Sequence, residues 1–166
     1  MNPSVYLCGS ITKDPKCFGW RDEADSLLSH WPEEDNVIEV RLLEPTFLTV
    51  LDPCRGKQQN EWTDDGLEAI DCIYSNGAFV SRDRRDVKGC DVLLCCWWGD
   101  PGRQSIGTWM EFGWASAWEK PIVFVDLTED KYNTKHPFVY KQSEHFGNLE
   151  DGCAYIRWLL LGKTHE

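Results

Sequence analysis

Two acidic side chains and a tyrosine stand where they could share a chemical step. Glu111 lies near the beginning of the apolar helical pattern SIGTWMEFGWASAWEKPIV, and Asp83 falls on one helical stripe with Val80 and Val87. Two acids that converge on one pocket, one nucleophilic and one donating a proton, can cleave a glycosidic bond through a covalent sugar intermediate. Tyr6, in the apolar run before CGS, could orient a carboxylate through its hydroxyl.

Each of these residues also has a purely structural alternative. The letters TWME fit a capping box, with Thr108 as the N-cap and Glu111 as its partner. Asp83 could cap a loop or pair with an arginine of RDRRD, and Tyr6 could be a core aromatic. The helix around Glu111 has almost no polar face, which predicts a helix buried all round. Its N-terminus should favour the ionised form of Glu111, and the amides of Gly107 and Thr108 could hold an anion.

The elements that would position these residues follow from the alternation of apolar runs and helical patterns. Strands are predicted at residues 5–9, 36–43, 91–98 and 121–127 and in a short segment before the closing helix. Helical patterns cover residues 17–31, 67–77, 79–90, the segment around Glu111 and the tail, whereas residues 44–66 read as a long connection. The central strands are continuously apolar, which indicates a parallel sheet covered on both faces.

We therefore predict a single domain over residues 1–166. Its fold is an α/β sandwich of the flavodoxin/Rossmann-like type, with a mostly parallel five-stranded sheet flanked by helices. In such sheets ligands bind beyond the carboxyl ends of the strands, where the strand order reverses. The loops GSITK and GDPGRQSIGT should lie side by side at that edge, and the loop after PIVFVD is a further candidate for it.

Composition narrows the classes of partner. The chain has 166 residues and a formal net charge of −11, which disfavours a polymeric nucleic acid as the ligand. No apolar run is long enough to span a membrane and the N-terminus lacks a signal-peptide pattern, so a cytoplasmic location is predicted. The eight cysteines include no C-x-x-C pair and the four histidines lack zinc-ligand spacing, which predicts reduced, mostly buried thiols and no metal site.

Three blocks together resemble the nucleoside 2-deoxyribosyltransferase family. They are VYLCGSI, the pattern RD(x)7D formed by Asp83 and Asp91, and GTWMEFGWASAWEKPIV, in that order over residues 4–125. The resemblance implies that Glu111 is the nucleophile at the anomeric carbon. Asp83 then handles the sugar hydroxyl and the proton passed to the base, and Tyr6 orients Glu111. No metal or organic cofactor is implied.

The family divides into transferases, which pass deoxyribose to another base, and N-hydrolases of nucleoside 5′-monophosphates, which pass it to water. Transferases typically have an acid six residues before the nucleophile, where this chain has Ser105, as the hydrolases do. Ser10 in CGSI resembles a phosphate-binding serine of the hydrolases, so Ser10, Ser105 and the amides of Gly107 and Thr108 form a predicted cradle for a small anion. With Gly9 they make up the predicted substrate-binding set. One departure is Thr12, followed by Lys13, where the hydrolases usually have an arginine.

The sequence thus predicts hydrolysis of a nucleoside or deoxynucleoside 5′-monophosphate at Glu111. Two alternatives stay open: a true deoxyribosyltransferase, and a non-catalytic nucleotide-binding or sensing module on the same fold. The family's sites are completed by a neighbouring subunit, so the resemblance implies a homodimer or larger assembly, with DKYNTKHPF as the segment that reaches the partner's site. The tryptophans near the site, which include Trp97 and Trp109, could stack on the base or pack in the core.

Overall fold

The computed structural model describes residues 2–10, 16–29, 48–54, 76–98, 105–129 and 135–162. Strands and helices alternate along these ranges. The strands are β1 (Ser4–Gly9), β2 (Thr49–Leu51), β3 (Val92–Trp97), β4 (Ile122–Asp126) and β5 (Glu144–Phe146). The helices are α1 (Lys16–Ser29), α2 (Asn76–Gly89), α3 (Ile106–Ala117), α4 (Pro137–Tyr140) and α5 (Leu149–Leu161).

The described strands form one sheet in the order β2-β1-β3-β4-β5, and every neighbouring pair is parallel. The predicted parallel five-stranded α/β fold is therefore confirmed. The chain moves from β1 outwards to β2 and then returns to β3 on the other side of β1, so the strand order reverses between β1 and β3. Gly9 is in register with Cys96, which brings the carboxyl ends of these two strands together at the position where such sheets bind ligands.

The pleat of the central strands divides the core into two layers. Val5 and Leu7 of β1 face a cluster that includes residues of α1 and α5, whereas Tyr6 and Cys8 face the cluster of α2 and α3. All side chains of β3 and β4 are buried, as expected for parallel strands with helices on both faces. The near-continuous apolar sequence of these strands thus follows from two cores that lie back to back.

Two predictions about the elements are wrong. Thr49–Leu51 is a strand, although it lies inside the predicted connection of residues 44–66. This edge strand has only three, partly exposed residues, so it is too short for an alternating pattern to be recognised between Pro45 and Pro53. The helix α3 is not buried all round: Ile106 and Met110 are 76% and 48% exposed, because only one side of the helix faces the sheet.

The other predicted strands and helices are either confirmed or lie outside the described residues. The strands predicted at residues 5–9, 91–98 and 121–127 are confirmed, as are the helix at 79–90 and the short strand and helix of the tail. The predicted strand at 36–43 and most of the predicted helix at 67–77 lie outside the described residues. None of the helices in the described ranges is long and apolar enough to cross a membrane.

Gly9 ends β1 at a point where there is no room for a side chain. A Cβ there would lie 2.7 Å from Cζ2 of Trp20 and 2.8 Å from the carbonyl oxygen of Cys96. The Cys96 oxygen belongs to the backbone of β3 and cannot move without disturbing the sheet. Gly9 is therefore explained by the close approach of β3 and α1, independently of any ligand.

We predict that Gly9→Ala lowers the free energy of unfolding by about 1–3 kcal/mol, because the added methyl group overpacks the junction of β1, β3 and α1. Denaturant unfolding measures the change. The matched control is Gly113→Ala, since a Cβ at this exposed position of α3 meets nothing within 4 Å and alanine favours a helix. A Gly9→Ala protein as stable as the control would contradict the close packing described here.

Candidate active site

The candidate site begins with the face of β1 that carries Tyr6 and Cys8. Both side chains are fully buried, and they point to the same side because side chains two apart on a strand share a face. The helix α3 packs on this face. The Tyr6 hydroxyl donates a hydrogen bond of 2.9 Å to Oε1 of Glu111, which joins two of the predicted site residues across 105 positions of sequence.

The helix α3 begins three residues earlier than the capping-box interpretation requires. Ser105, not Thr108, is the N-cap: its Oγ accepts from the Thr108 amide at 3.4 Å and from the Thr108 hydroxyl at 2.8 Å. Glu111 is consequently in the second turn and does not cap the helix. Thr108 and Glu111, three positions apart, both turn towards β1, where the carbonyl of Thr108 accepts from the Cys8 thiol at 3.5 Å.

The surroundings of Glu111 raise the pKa of its carboxyl from 4.5 to about 7, so both the neutral and the ionised forms are present near pH 7. Burial is the largest cause and raises the pKa, the Tyr6 hydrogen bond and then the Cys8 thiol lower it, the charge of Asp83 raises it, and the charge of Arg21 lowers it. The prediction that the helix start keeps this group ionised is therefore wrong in its net direction, because desolvation is the larger effect. Burial, followed by the negative charge of Glu111, raises the pKa of Tyr6 far above its ordinary range, so the phenol remains a donor.

Asp83 lies buried on the inner side of α2, as predicted. Val87 is buried with it, but Val80 is 41% exposed, so only the second half of the predicted stripe faces the core. The effect of the Asp83 charge on the pKa of Glu111 indicates that the two acids are close enough to interact. Tyr6 and Glu111 are joined by a hydrogen bond, and the charge of Asp83 raises the pKa of both groups.

The arginine partner that was the alternative for Asp83 is also present. Arg82 donates from Nε to Oδ1 of Asp83 at 3.0 Å, and its Nη2 lies 2.8 Å from the same oxygen. The same Nη2 donates to the carbonyl of Pro53 at 2.6 Å, just after β2. Arg82 thus ties Asp83 to the end of β2. Arg84, by contrast, is exposed and lies near the rings of Trp114 and Trp118.

Two residues that act on Glu111 were missed by the sequence analysis. One is Arg21 of α1, whose buried guanidinium donates to the carbonyl of Gly9 at 2.9 Å and lies 3.3 Å from Oδ1 of Asp52. Within the sequence WRDEAD it reads as part of a solvated charged face, so no local signal distinguishes it. The other is Cys8, which the sequence indicated only as a buried thiol.

The predicted phosphate-binding residues lie at the carboxyl edge of β1 and β3. Some of their polar groups already have partners within the protein, and others are exposed. The amide of Thr108 is engaged by the Ser105 cap, and Gly9 is confined by packing, with its carbonyl bonded to Arg21. The Ser105 hydroxyl accepts two bonds, and none of the described residues takes its proton. Ser10 directly follows β1 and is partly exposed, and Gly107 is exposed in the first turn of α3. Thr12 and Lys13 lie outside the described residues.

The aromatic residues beside the site pack against one another. Trp109 has the Trp97 ring at 5.4 Å and the Phe124 ring at 6.3 Å, at interplanar angles of 26° and 10°. These two stacked neighbours hold Trp109 in the core, which favours the packing alternative over base stacking for this residue. Trp97 is almost completely buried at the end of β3.

Across the described ranges there is no group of three or more His, Cys, Asp and Glu side chains that could hold a metal ion. Six cysteines whose side chains the structure describes are free and buried: Cys8, Cys54, Cys90, Cys95, Cys96 and Cys153. The arrangement offers a half-buried carboxyl that accepts from the Tyr6 hydroxyl, and a second carboxyl paired with an arginine.

Comparison with known proteins finds solved structures that are similar to this chain, but no matching sequence. Neither a protein-family model nor a curated protein sequence matches the chain. Among solved structures, the 2-deoxyribosyltransferase from Bacillus psychrosaccharolyticus matches with a TM-score of 0.61 at 15% identity, over 98% of this chain and 99% of that one. A 2-desoxiribosyltransferase from Leishmania mexicana matches with a TM-score of 0.58 at 13% identity, over 93% and 96%.

A CMP N-glycosidase from Clostridium botulinum, BcmB, matches with a TM-score of 0.53 at 17% identity, over 95% of this chain and 99% of that one. These similar structures are the kinds of enzyme that the sequence resemblance indicated, so the resemblance is confirmed at the level of the fold. At identities of 13–17% the similarity extends to the fold alone, and the chemistry has to be argued from the site.

The raised pKa of Glu111 predicts a pH-dependent cost to stability. Because the folded-state pKa of about 7 exceeds the ordinary 4.5, folding favours the protonated form, and this advantage is full below pH 4.5 and is lost as the pH rises through 7. Glu111→Gln removes the titration. Between pH 4.5 and 7 the wild type should lose up to about 3 kcal/mol of its free energy of unfolding through this group, and Glu111→Gln should not. The variant should therefore become more stable relative to the wild type as the pH rises. Denaturant unfolding at several pH values measures the difference, and a constant difference would contradict the assignment.

Proposed function

We propose that the chain cleaves the N-glycosidic bond of a deoxynucleoside 5′-monophosphate or a nucleoside, with water as the acceptor, through a covalent intermediate on Glu111. The observation that carries this proposal is the 2.9 Å hydrogen bond from the Tyr6 hydroxyl to Glu111, made where the strand order reverses between β1 and β3. A carboxyl held in one orientation at the ligand-binding edge of a parallel sheet suits nucleophilic attack. Asp83 supplies the second acid that this chemistry needs.

In the first half of the reaction, a carboxylate oxygen of Glu111 attacks the anomeric carbon of the sugar. The new C–O bond forms as the bond to the base nitrogen breaks, and the electron pair of that bond leaves with the base. Asp83 in its protonated form gives its proton to the departing base. Tyr6, which stays a neutral phenol, holds the carboxyl of Glu111 during the attack.

In the second half, water attacks the same carbon and Glu111 leaves as a carboxylate. The proton of the attacking water passes to the carboxylate of Asp83, which restores the acid for the next cycle. The contact with Arg82 holds the Asp83 carboxyl in one orientation during both halves. Over one cycle the products are the free base and the sugar or sugar phosphate, and atoms and charge balance.

The preference for a 5′-monophosphate is part of the proposal and depends on Ser105. The N-cap places its hydroxyl at the start of α3, where backbone amides and the helix dipole favour an anion. Its proton remains available to a phosphate oxygen, since no acceptor for it lies among the described residues. The Ser10 hydroxyl and the Gly107 amide complete the proposed anion site, whereas Thr108 contributes by fixing the Ser105 side chain.

A deoxyribosyltransferase is the second candidate. It is favoured by two of the similar structures, which are named as 2-deoxyribosyltransferases, while the third is named as an N-glycosidase. Both reactions form the same intermediate on Glu111 and differ in whether water or a second base accepts the sugar. The distinction therefore requires a measurement of products.

We include a homodimer or larger homo-oligomer and a cytoplasmic location in the proposal. The exposed apolar side chains Ile106 and Met110 lie on the outer face of α3, next to Ser105, where a second copy could cover them. The segment DKYNTKHPF, predicted to reach a neighbouring site, lies largely outside the described residues. Its described end carries Phe138, which is 72% exposed.

We predict that the protein releases free base from at least one member of a panel of common nucleosides and their 5′-monophosphates. Chromatography of the reaction mixture measures the free base. Glu111→Gln should reduce this release by roughly 10³-fold or more, because the amide oxygen is a poor nucleophile. Glu144→Gln, the same change at an exposed position of β5, is the control and should keep full activity. Formation of a new nucleoside on addition of a second free base would identify the transferase. If no member of the panel releases base, the proposal is wrong.

Ser105→Asp should lower kcat/KM for a 5′-monophosphate relative to the matching nucleoside by at least about tenfold, because a carboxylate beside the phosphate repels it. Asp is as good an N-cap as Ser, so the start of α3 should be preserved. Ser105→Asn, a neutral residue of the same shape and capping ability, is the matched control for this charge effect. If Asp and Asn change the preference equally, the phosphate does not lie at Ser105.

A further inference from the structure

A short turn directly after β2 lies close to the proposed site. This β2 turn comprises residues 52–54, and its Pro53 and Cys54 are both buried. Leu51, the last residue of β2, is in register with Tyr6, so the turn lies next to the second half of β1. The roles proposed above give the β2 turn no function.

Asp52 closes the β2 turn. Its Oδ1 accepts from the Cys54 amide at 2.8 Å, a side-chain contact two residues along the chain that is typical of an Asx turn. The same oxygen lies 3.3 Å from Nε of Arg21, whose guanidinium also donates to the Gly9 carbonyl at 2.9 Å. Pro53 stands in the middle of the turn and restricts its backbone further. The turn is therefore shaped from within and attached to α1 and to the end of β1.

The carbonyl of Pro53 supports the contact between Arg82 and Asp83. Side chains of adjacent helix residues do not face each other, so Arg82 has to bend back to reach Asp83. Its Nη2 lies 2.8 Å from Oδ1 of Asp83 and 2.6 Å from the Pro53 oxygen, and its Nε donates to the same Oδ1 at 3.0 Å. An arginine has many conformations, and an ion pair alone restricts them weakly. The buried Pro53 favours the conformation that holds Asp83, because its carbonyl needs a donor.

We propose that Asp52 is a positioning residue that orients the Asp83 carboxyl through the β2 turn and Arg82. The turn that Asp52 closes presents the Pro53 carbonyl to Arg82. That carbonyl holds the guanidinium against Asp83. The orientation of Asp83 requires no substrate, whereas its consequence for catalysis rests on the proposed function.

The orientation of Asp83 matters when the base departs. A general acid has to lie within hydrogen-bond reach of the atom that it protonates, and a small misplacement of a catalytic group slows its step strongly. A base that is a poor anion depends on this proton, whereas a leaving group that is stable as an anion does not. Loss of the β2 turn should therefore lower kcat/KM, which covers the steps up to departure of the leaving group, only for substrates that need an acid.

The first test compares kcat/KM for the nucleoside or nucleotide that is cleaved with kcat/KM for the matching 4-nitrophenyl glycoside, whose leaving group departs as a stable anion. Asp52→Ala should lower the first value by roughly tenfold or more, and at least about fivefold more than the second. Asp52→Asn keeps an oxygen for the Cys54 amide and should stay within about twofold of the wild type. Asp22→Ala, which removes an exposed acid from α1, is the matched control and should have no effect. Equal losses for Ala and Asn, or equal losses for both substrates, would overturn the proposal.

The second test asks whether Asp52 acts through Arg82. Arg82→Lys keeps the charge, but one ammonium group cannot replace the two guanidinium nitrogens, so kcat/KM for the nucleoside or nucleotide should fall. Adding Asp52→Ala to Arg82→Lys should lower it by less than about twofold further, because both changes break the same chain of contacts. Arg85→Lys, the same change at a side chain that is 78% exposed, is the control and should keep full activity. Two losses that multiply in full would contradict the action through Arg82.

The orientation of Asp83 is tested without turnover by the NMR signal of the Arg82 Nε–H group in the full chain, assigned by its loss in Arg82→Lys. This group donates to Asp83, so its proton should exchange slowly with water in the wild type. Asp52→Ala should speed the exchange by roughly fivefold or more, because the guanidinium is released more often. Asp52→Asn and Asp22→Ala should leave the exchange rate unchanged. A rate that is the same in Asp52→Ala and in the wild type would contradict the proposal.

The inference and the proposed function can fail separately. If no nucleoside or nucleotide is cleaved while the Arg82 signal responds to Asp52→Ala as expected, the proposed function fails and the orientation of Asp83 by the β2 turn stands. If base is released but Asp52→Ala affects neither the Arg82 signal nor the difference between the two leaving groups, the function stands and the role of Asp52 is wrong.

Discussion

A carboxyl group that folding removes from most of its water needs a hydrogen-bond partner, and half-buried Glu111 has one in the hydroxyl of Tyr6, which is fully buried. Each group would be costly to bury alone, since an unsatisfied polar group in the core loses its hydration without compensation. Their contact therefore fixes how α3 lies on β1. The thiol of Cys8 and the carbonyl of Thr108 meet in the same interface, one strand repeat and one helical turn away. The position of the proposed nucleophile thus depends on core packing and not on a loop.

Two arginines, Arg21 and Arg82, place positive charge at this edge of the sheet in an otherwise acidic protein. Arg21 contacts the carbonyl that ends β1 and lowers the pKa of Glu111, while Arg82 connects Asp83 to the end of β2. Each arginine also joins a helix to the backbone at or just after the end of a strand, so these contacts hold α1 and α2 on the sheet. The net charge of −11 is therefore not evenly spread over the chain, which is compatible with the proposed site for a small anion.

Much of this arrangement could be predicted from the periodic spacing of apolar residues in the sequence. The central strands, the inward position of Asp83 and the closeness of β1 and β3 follow from apolar patterning and from the rules of parallel sheets. The start of α3 was misplaced because Ser105 and Thr108 are both good N-caps, and the choice between them depends on packing against β1. Arg21 was missed because burial of a charged residue depends on partners that are distant in sequence, here Gly9 and Asp52. The strand at Thr49–Leu51 is too short to show a period at all.

The central claim is that Glu111 forms a bond to the sugar. The most direct measurement is to mix the protein with a cleavable nucleotide or nucleoside, quench with acid during turnover, and determine the mass of the intact chain and of its peptides. The account predicts an added mass of one glycosyl group of the substrate, located on the peptide that contains Glu111 and absent from Glu111→Gln. A protein that turns over under the same conditions with no adduct, or with the adduct on another residue, would contradict it.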